Sequence, residues 1–281
     1  MAFLAALGVA LALAAAPADH RIPYGPEPLQ FGLLRLPAGA GPHPIAVVIH
    51  GGCWSSAYGL DLMAPASDAL RRAGIATWTI EYRRVGDPGG GWRGTFEDVA
   101  RGIDHVNALA RSFPLDTSRV VLVGHSAGGH LALWAAARRN LPAASPLRAA
   151  HPLRLRGVVG LGGIADLRAY GAAAGGCNQG VARLLGGTAA EVPERYAEAD
   201  PIELLPLRVP VRLVQGGRDG IVPATQGVAF AAEARRTGDD ARVRTVAGAG
   251  HFDLIDPSAP AWKTVVEEIR ALLGTGPRPT R

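Results

Sequence analysis

Near the middle of the chain an apolar run passes directly into a turn of small residues and then into a helix-forming segment. Residues 120–123 are Val-Val-Leu-Val, residues 124–129 are Gly-His-Ser-Ala-Gly-Gly, and residues 131–135 are Leu-Ala-Leu-Trp-Ala. A short, wholly apolar run is typical of a strand buried on both faces of a parallel sheet. Such a strand needs a crossover connection, which the helix supplies. This segment therefore predicts an α/β architecture.

Similar apolar runs recur along the chain, several of them bounded by glycine or proline. They predict strands at residues 29–36, 45–49, 75–80, 120–123, 158–161, 211–215 and 243–246. Helical spacing between these strands predicts helices at residues 95–111, 131–139, 225–236 and 262–273. The alternation predicts a doubly wound α/β fold with a mostly parallel sheet of the eight-stranded type.

Length and composition set the scale of this fold. The chain has 281 residues, of which 48% are apolar and 19% are charged, so there is ample material for a core. Proteins of the α/β class commonly form one domain at this length. We therefore expect a single domain over residues 19–281.

Residues 163–205 do not fit the simple alternation. This stretch of about forty residues is rich in alanine and glycine and falls between two predicted strands, as a lid-like insertion would. Near its end, Asp200 is expected to cap a helix that starts at Pro201, with Glu203 completing a capping box.

The formal net charge of +5 raises the question of an acidic partner. Arginine is spread over the whole chain, and the tightest groups are pairs such as Arg71-Arg72 and Arg235-Arg236, without interleaved aromatic residues. Such a distribution indicates a solvated surface rather than a nucleic-acid site. We expect no nucleic-acid partner.

The first 18 residues carry no charged side chain and end in Ala-Pro-Ala. An apolar stretch before a small-x-small sequence predicts a signal peptide, and hence a periplasmic or secreted protein without stable membrane anchoring after cleavage. The alternative is an uncleaved anchor, although the stretch is short for a bilayer span. If the segment is not a signal, the protein is cytoplasmic.

Two cysteines, Cys53 and Cys177, occur far apart and without the spacing of a zinc site, so no metal is expected. They either form one disulfide in an oxidising compartment or serve as small buried apolar residues. The Gly-Leu-Gly-Gly-Ile-Ala sequence at residues 160–165 resembles a dinucleotide motif. It lacks an acidic residue about 20 positions further on, so we expect no cofactor.

The serine of the central turn has the context of a catalytic nucleophile. Ser126 lies in Gly-x-Ser-x-Gly between a strand and a helix, where a strained turn exposes the hydroxyl and glycine at Gly124 and Gly128 allows close packing. A serine hydroxyl needs a base and an orienting carboxylate to react at neutral pH.

The base is predicted to be His251, which follows the last predicted strand in a glycine-rich loop. The acid is predicted to be Asp219, which follows the strand at residues 211–215 and precedes His251 in the chain. This gives the order Ser, Asp, His. Asp166, at a strand exit, and Asp200, better explained as a helix cap, are the main rivals for the acid.

An oxyanion hole is predicted from two backbone segments. One donor is the N–H of Ala127, directly after the nucleophile, and the other is the N–H of Gly52 or Cys53 in the His-Gly-Gly-Cys-Trp loop at residues 50–54. In that loop we expect Gly51 to permit close approach, His50 to brace the backbone and Trp54 to shape the pocket.

Taken in order, these motifs resemble the α/β-hydrolase superfamily over nearly everything after residue 30. The His-Gly-Gly-x-Trp sequence is similar to a branch that contains arylformamidase-type enzymes, small feruloyl or acetyl-xylan esterases and the catalytic domain of prolyl-oligopeptidase-like peptidases. Cys53 replaces the glycine found in hormone-sensitive-lipase-like esterases.

The resemblance implies Ser126, Asp219 and His251 as a triad. We expect a serine carboxylesterase acting on a small-molecule ester. The alternatives are an arylformamidase, a peptidase and a non-catalytic binding protein of the same fold.

Overall fold

The computed structural model describes residues 19–149, 151–175 and 177–275. The strands of its central sheet are β1 His20–Pro23, β2 Phe31–Arg35, β3 His43–Ile49, β4 Ala76–Ile80, β5 Leu115–His125, β6 Gly157–Leu161, β7 Val211–Gly216 and β8 Ala241–Val246. Their order across the sheet is β1-β2-β4-β3-β5-β6-β7-β8. β2 pairs antiparallel with β1 and β4, and the other neighbours are parallel. The predicted fold class is confirmed.

Helices cover both faces of the sheet. They are α1 Ala64–Arg72, α2 Gly94–Asp104, α3 Val106–Leu109, α4 Ala127–Ala137, α5 Leu167–Ala172, α6 Asn178–Leu185, α7 Pro193–Ala199, α8 Thr225–Arg236 and α9 Ala261–Leu273. Apolar side chains of α1 and α9 pack against one face. Those of α2, α4 and α8 pack against the other, which makes the two core layers of a doubly wound fold.

The central strands are apolar throughout because both of their faces are covered. Every residue of β3, β4, β6 and β7 is buried. All eleven residues of α4 are buried as well, since this helix lies between the sheet, α2 and the segment before β7. Burial of one large aliphatic side chain contributes about 1.5–3 kcal/mol, so the turn that joins β5 to α4 is anchored on both sides.

Several local features differ from the sequence prediction, among them helix α1, which was not predicted, and the start of α4 at Ala127 rather than at residue 131. β1 was not predicted, because this short edge strand pairs only with β2 and carries no apolar run. The helix predicted over residues 95–111 is interrupted at His105. The indole N–H of Trp78 donates to the carbonyl of Gly102 at 2.8 Å. That oxygen is the one a continuous helix would use for the N–H of Val106.

The segment between β6 and β7 carries α5, α6, α7 and a 3-10 turn at Pro201–Leu204. The capping box predicted here is wrong. The Asp200 carboxylate makes no cap bond to its own turn and instead accepts the N–H groups of Leu167 and Arg168 at 2.9 and 3.1 Å. Glu203 pairs with Arg168. Asp200 turns this way because the first N–H groups of α5 need an acceptor.

The predicted signal peptide, residues 1–18, lies outside the described residues. Within the described ranges, no helix combines the length and the apolar character that a membrane span requires.

Candidate active site

The loops after five parallel strands meet at one edge of the sheet. Ile49 of β3 pairs with Gly124 of β5, and His125 of β5 pairs with Leu161 of β6. β7 and β8 continue the same parallel arrangement. Sites of open α/β sheets form at the carboxyl ends of the strands. All of the predicted site residues follow these strands.

Ser126 occupies the turn between β5 and α4. Its φ of 56° and ψ of −122° are strained for a residue with a side chain. Its N–H donates to the carbonyl of Leu161 at 2.9 Å, which fixes the turn to the neighbouring strand. A Cβ at Gly128 would lie 2.8 Å from the carbonyl carbon of His50, so only glycine lets the new helix start this close to the loop after β3.

The predicted base and acid lie together. Nδ1 of His251 is 2.6 Å from Oδ2 of Asp219, and both side chains are buried. The other carboxylate oxygen accepts the N–H groups of Ile221 and Val222 at 2.9 and 2.8 Å. Burial raises the pKa of Asp219, but the hydrogen bond from His251 and those from the backbone outweigh it and hold the pKa below its usual range. The carboxylate therefore orients a proton on Nδ1 of His251.

The segment at Leu161 and Gly162 contacts both the turn of Ser126 and the pair of His251 and Asp219. The hydroxyl of Ser126 makes no hydrogen bond to His251 in this structure. Catalytic hydrogen bonds often tighten only when substrate is bound. The backbone of Gly162, next to Leu161, packs closely against the pair, since a Cβ there would lie 3.1 Å from both Asp219 and His251. The glycine motif at residues 160–165 thus serves close packing at the site.

His125 holds the loop that carries His251, a role the sequence did not reveal. Its Nε2 is 3.1 Å from the carbonyl oxygen of His251, and the two rings lie 4.4 Å apart. Burial, with a smaller effect of the neighbouring His251 ring, lowers the pKa of His125 to about 3. The ring is therefore neutral, and its Nε2–H donates to that carbonyl.

The loop after β3 lies against the nucleophile. A Cβ at Gly51 would lie 2.9 Å from Cβ of Ser126, so this glycine permits the close approach that we predicted. The next three residues, Gly52, Cys53 and Trp54, have φ values of 106°, 54° and 55°. Ala127 begins α4, where the first N–H groups have no acceptor within the helix. The two predicted sources of oxyanion donors thus flank Ser126.

A disulfide ties this loop to the segment before β7. Cys53 pairs with Cys177, 124 residues away, with 5.2 Å between their Cα atoms. The sequence left open whether the two cysteines form a disulfide or are buried apolar residues, and in the structure they form the disulfide. We expected Trp54 to shape the pocket, but it does not line an open pocket. Its ring is fully buried, donates to Nδ1 of His130 at 3.2 Å and packs near Gly180, so it supports the loop from within.

His50, predicted to brace the loop, is fully buried. Its Nε2 is 2.9 Å from Oε1 of Glu81, and its carbonyl accepts the hydroxyl of Tyr82 at 2.8 Å. The sequence motifs did not indicate Glu81, although its position directly after β4 was a usable signal.

The rival acids have other roles. Asp166 caps α5 by accepting the N–H of Ala169 at 2.7 Å, and Asp200 holds the same helix. Over the part of the chain that the structure describes, no group of three or more His, Cys, Asp or Glu residues is placed to hold a metal ion.

A cavity of about 400 Å³ borders the acid. Its walls come from the segment before β7 and from the loop after β7, and they include Tyr170, Asn178, Asp219, Ile221 and Gln226. Small-molecule sites have volumes of about 300–1,000 Å³.

The fold and the arrangement of these loops define an α/β-hydrolase. The sequence model of the BD-FAE family matches residues 34–233, and the chain belongs to this family.

Two curated relatives and one solved structure illustrate the likeness. Esterase LipC of Mycobacterium tuberculosis is 27% identical over 84% of this chain and 60% of its own length. A probable isoprenylcysteine alpha-carbonyl methylesterase of Oryza sativa subsp. japonica is 27% identical over 88% of this chain and 60% of its own length. The chain thus spans about 60% of each relative. Esterase B of Lactobacillus rhamnosis shares the fold, with a TM-score of 0.78 and 20% identity over 92% of this chain and 85% of that one.

Proposed function

We propose that this protein hydrolyses small-molecule carboxylic esters through an acyl intermediate on Ser126. The observation that carries the proposal is the 2.6 Å contact between His251 Nδ1 and Asp219 Oδ2, beside a strained serine at the start of α4. A buried carboxylate that fixes the tautomer of a histidine leaves Nε2 free to act as a base.

In the first half of the proposed reaction the hydroxyl oxygen of Ser126 attacks the ester carbonyl. Nε2 of His251 takes the serine proton, and the carbonyl oxygen becomes an oxyanion. Backbone N–H groups of Ala127 and of Gly52 or Cys53 stabilise this charge. Each such donor is worth about 10²–10³ in rate.

The tetrahedral intermediate then collapses to an acyl-enzyme. The bond to the alcohol breaks, and His251 returns its proton to the leaving oxygen. In the second half water replaces the alcohol, His251 takes a proton from it, and collapse of the second intermediate releases the acid and restores Ser126. Asp219 stays ionised throughout and stabilises the imidazolium.

The two curated relatives bear names of an esterase and a methylesterase, which supports an ester substrate over a formamide or a peptide. We propose that the segment at residues 163–205 selects the substrate, because it contributes Tyr170 and Asn178 to the cavity beside Asp219. The disulfide supports the proposal of an exported protein, since disulfides persist in oxidising compartments.

The experiment is a comparison of kcat/KM on one purified sample over short and long acyl esters, acetylated and feruloylated sugars, N-formylkynurenine and a prolyl amide. We expect an ester to give the highest value. Ser126→Ala should lower kcat/KM for that ester by about 10⁴-fold or more, because the nucleophile is lost.

Ser112→Ala is the matched control, since this exposed serine precedes β5, at the opposite end of that strand from Ser126, and should leave turnover unchanged. A formamide or prolyl amide as the best substrate would refute the esterase proposal. Full activity in Ser126→Ala would refute the mechanism.

A further inference from the structure

One buried carboxylate holds both ends of the loop that carries Gly52 and Cys53. Oε1 of Glu81 lies 2.9 Å from Nε2 of His50, at the start of the loop. Oε2 accepts the N–H of Leu60, at its end, at 3.1 Å. The side chain of Glu81 is 7% exposed and that of His50 is 0% exposed, so solvent does not compete for these bonds.

A guanidinium adds a second contact near the end of the loop. Arg84 approaches Oε1 of Glu81 at 3.0 Å and donates to the carbonyl of Tyr58. Arg84 also pairs with Asp87 at 2.9 Å. The loop is therefore fixed to the end of β4 at its start and over its last residues.

The hydrogen bonds of His50 fix the orientation of its ring. Nε2 faces the carboxylate of Glu81 at 2.9 Å, and Nδ1 lies 2.8 Å from the carbonyl oxygen of Gly51. Because a carboxylate only accepts, Nε2 carries the proton of the bond to Glu81. The ring is thus held between Glu81 and the backbone of the loop.

The ionised state of the Glu81 carboxyl agrees with its hydrogen bond to His50. Burial raises the pKa of the Glu81 carboxyl, but the hydrogen bond and charge of His50 and the charge of Arg84 outweigh burial and hold the pKa below its ordinary value. Charge-assisted hydrogen bonds of this kind are roughly twice as strong as neutral ones.

We propose that Glu81 is a positioning residue for the oxyanion hole: through His50, Leu60 and Arg84 it holds the backbone of Gly52 and Cys53 in place. The proposal rests on the ester hydrolysis proposed above. The loop needs such support because Cys53 and Trp54 have φ values of 54° and 55°, in a region that costs residues with side chains about 1–3 kcal/mol each.

The first test is Glu81→Gln, which keeps the size of the side chain and removes its charge. We expect kcat to fall by about 10- to 100-fold, because misplaced donors stabilise the transition state less well. KM should change little, since the oxyanion forms only after binding. An unchanged kcat would overturn the proposal.

Asp239→Asn is the matched control. Asp239 is also a buried carboxylate that accepts two backbone N–H groups, those of Leu207 and Arg208, but it lies at the start of β7 and β8, at the opposite end of these strands from the site. We expect it to lower thermal stability and leave kcat unchanged. An equal loss of kcat in Asp239→Asn would mean that Glu81 acts only through stability.

A double-mutant cycle tests whether Glu81 acts through His50. If it does, kcat of the double variant Glu81→Gln, His50→Gln should be close to kcat of the less active single variant. Independent losses that multiply would contradict the proposal.

Nitrogen-15 NMR of wild-type His50 gives a readout that needs neither turnover nor a folded variant. We expect Nε2 to carry a proton that is held in the hydrogen bond to Glu81. An Nε2 without a proton would overturn the proposal even in an active enzyme. An inactive wild type with a proton on Nε2 would instead refute the ester hydrolysis and leave the pairing with Glu81 intact.

Discussion

At the scale of single residues, Asp200 combines deep burial with an unusual set of partners. One oxygen accepts two backbone N–H groups of α5, and the other, Oδ1, is buried and has no hydrogen-bond partner among the described residues. Burial and the negative charge of Asp166 raise the pKa of Asp200 to about 7, and Glu203 adds to this shift. Asp200 is thus protonated in the folded protein at pH values where the unfolded chain has lost that proton.

This difference predicts a pH dependence of stability. Because the pKa is higher in the folded state, the contribution of Asp200 is fully present below about pH 4 and is lost as pH rises through about 7. A shift of this size corresponds to about 4 kcal/mol at most.

Asp200→Asn removes the titration and keeps an acceptor for Leu167 and Arg168. Chemical denaturation at several pH values should show wild-type stability falling relative to Asp200→Asn between about pH 4 and 7. A constant difference over this range would show that Asp200 titrates normally.

At the scale of elements, the disulfide connects the loop after β3 to the start of α6. The connection spans a sequence separation of 124 residues, and a Cβ at Gly180 of α6 would lie 3.1 Å from the carbonyl of Cys53. The same helix packs near the ring of Trp54. The segment before β7 therefore supports the loop after β3 as well as bordering the cavity.

Cys177→Ala should weaken this support. We expect a loss of about 2–4 kcal/mol in unfolding free energy and a melting temperature lower by roughly 5–15 °C. We also expect a lower kcat, because Cys53 lies in the strained part of the loop. Differential scanning calorimetry and ester turnover measure the two effects.

Reduction of the wild type with a phosphine should reproduce both effects and leave Cys177→Ala unchanged. Two thiols that react with Ellman's reagent in the native protein without reductant would contradict the disulfide.

At the scale of the whole molecule, the sequence predicted what depends on periodicity and on local motifs. The strand before Ser126 and helix α8 follow from apolar patterns that tertiary contacts do not override. The positions of Asp219 and His251 follow from chain order, because parallel strands deliver the loops after them to one edge.

What the sequence did not predict depends on contacts between distant segments. Trp78 interrupts the helix at His105 by taking the carbonyl of Gly102, and Asp200 caps a helix more than thirty residues before it. Glu81 lies 31 residues from His50, and nothing in the local pattern joins the two. Such partners become visible only when the fold brings them together.

The central claim is that Ser126 is a nucleophile activated by His251. The most direct measurement is reaction of the native protein with a fluorophosphonate, followed by intact mass and peptide mapping. We predict one adduct, located on Ser126, and its formation should be strongly slowed in His251→Ala because the base is lost. Failure of the folded wild type to form an adduct, or an adduct on a residue other than Ser126, would contradict the account.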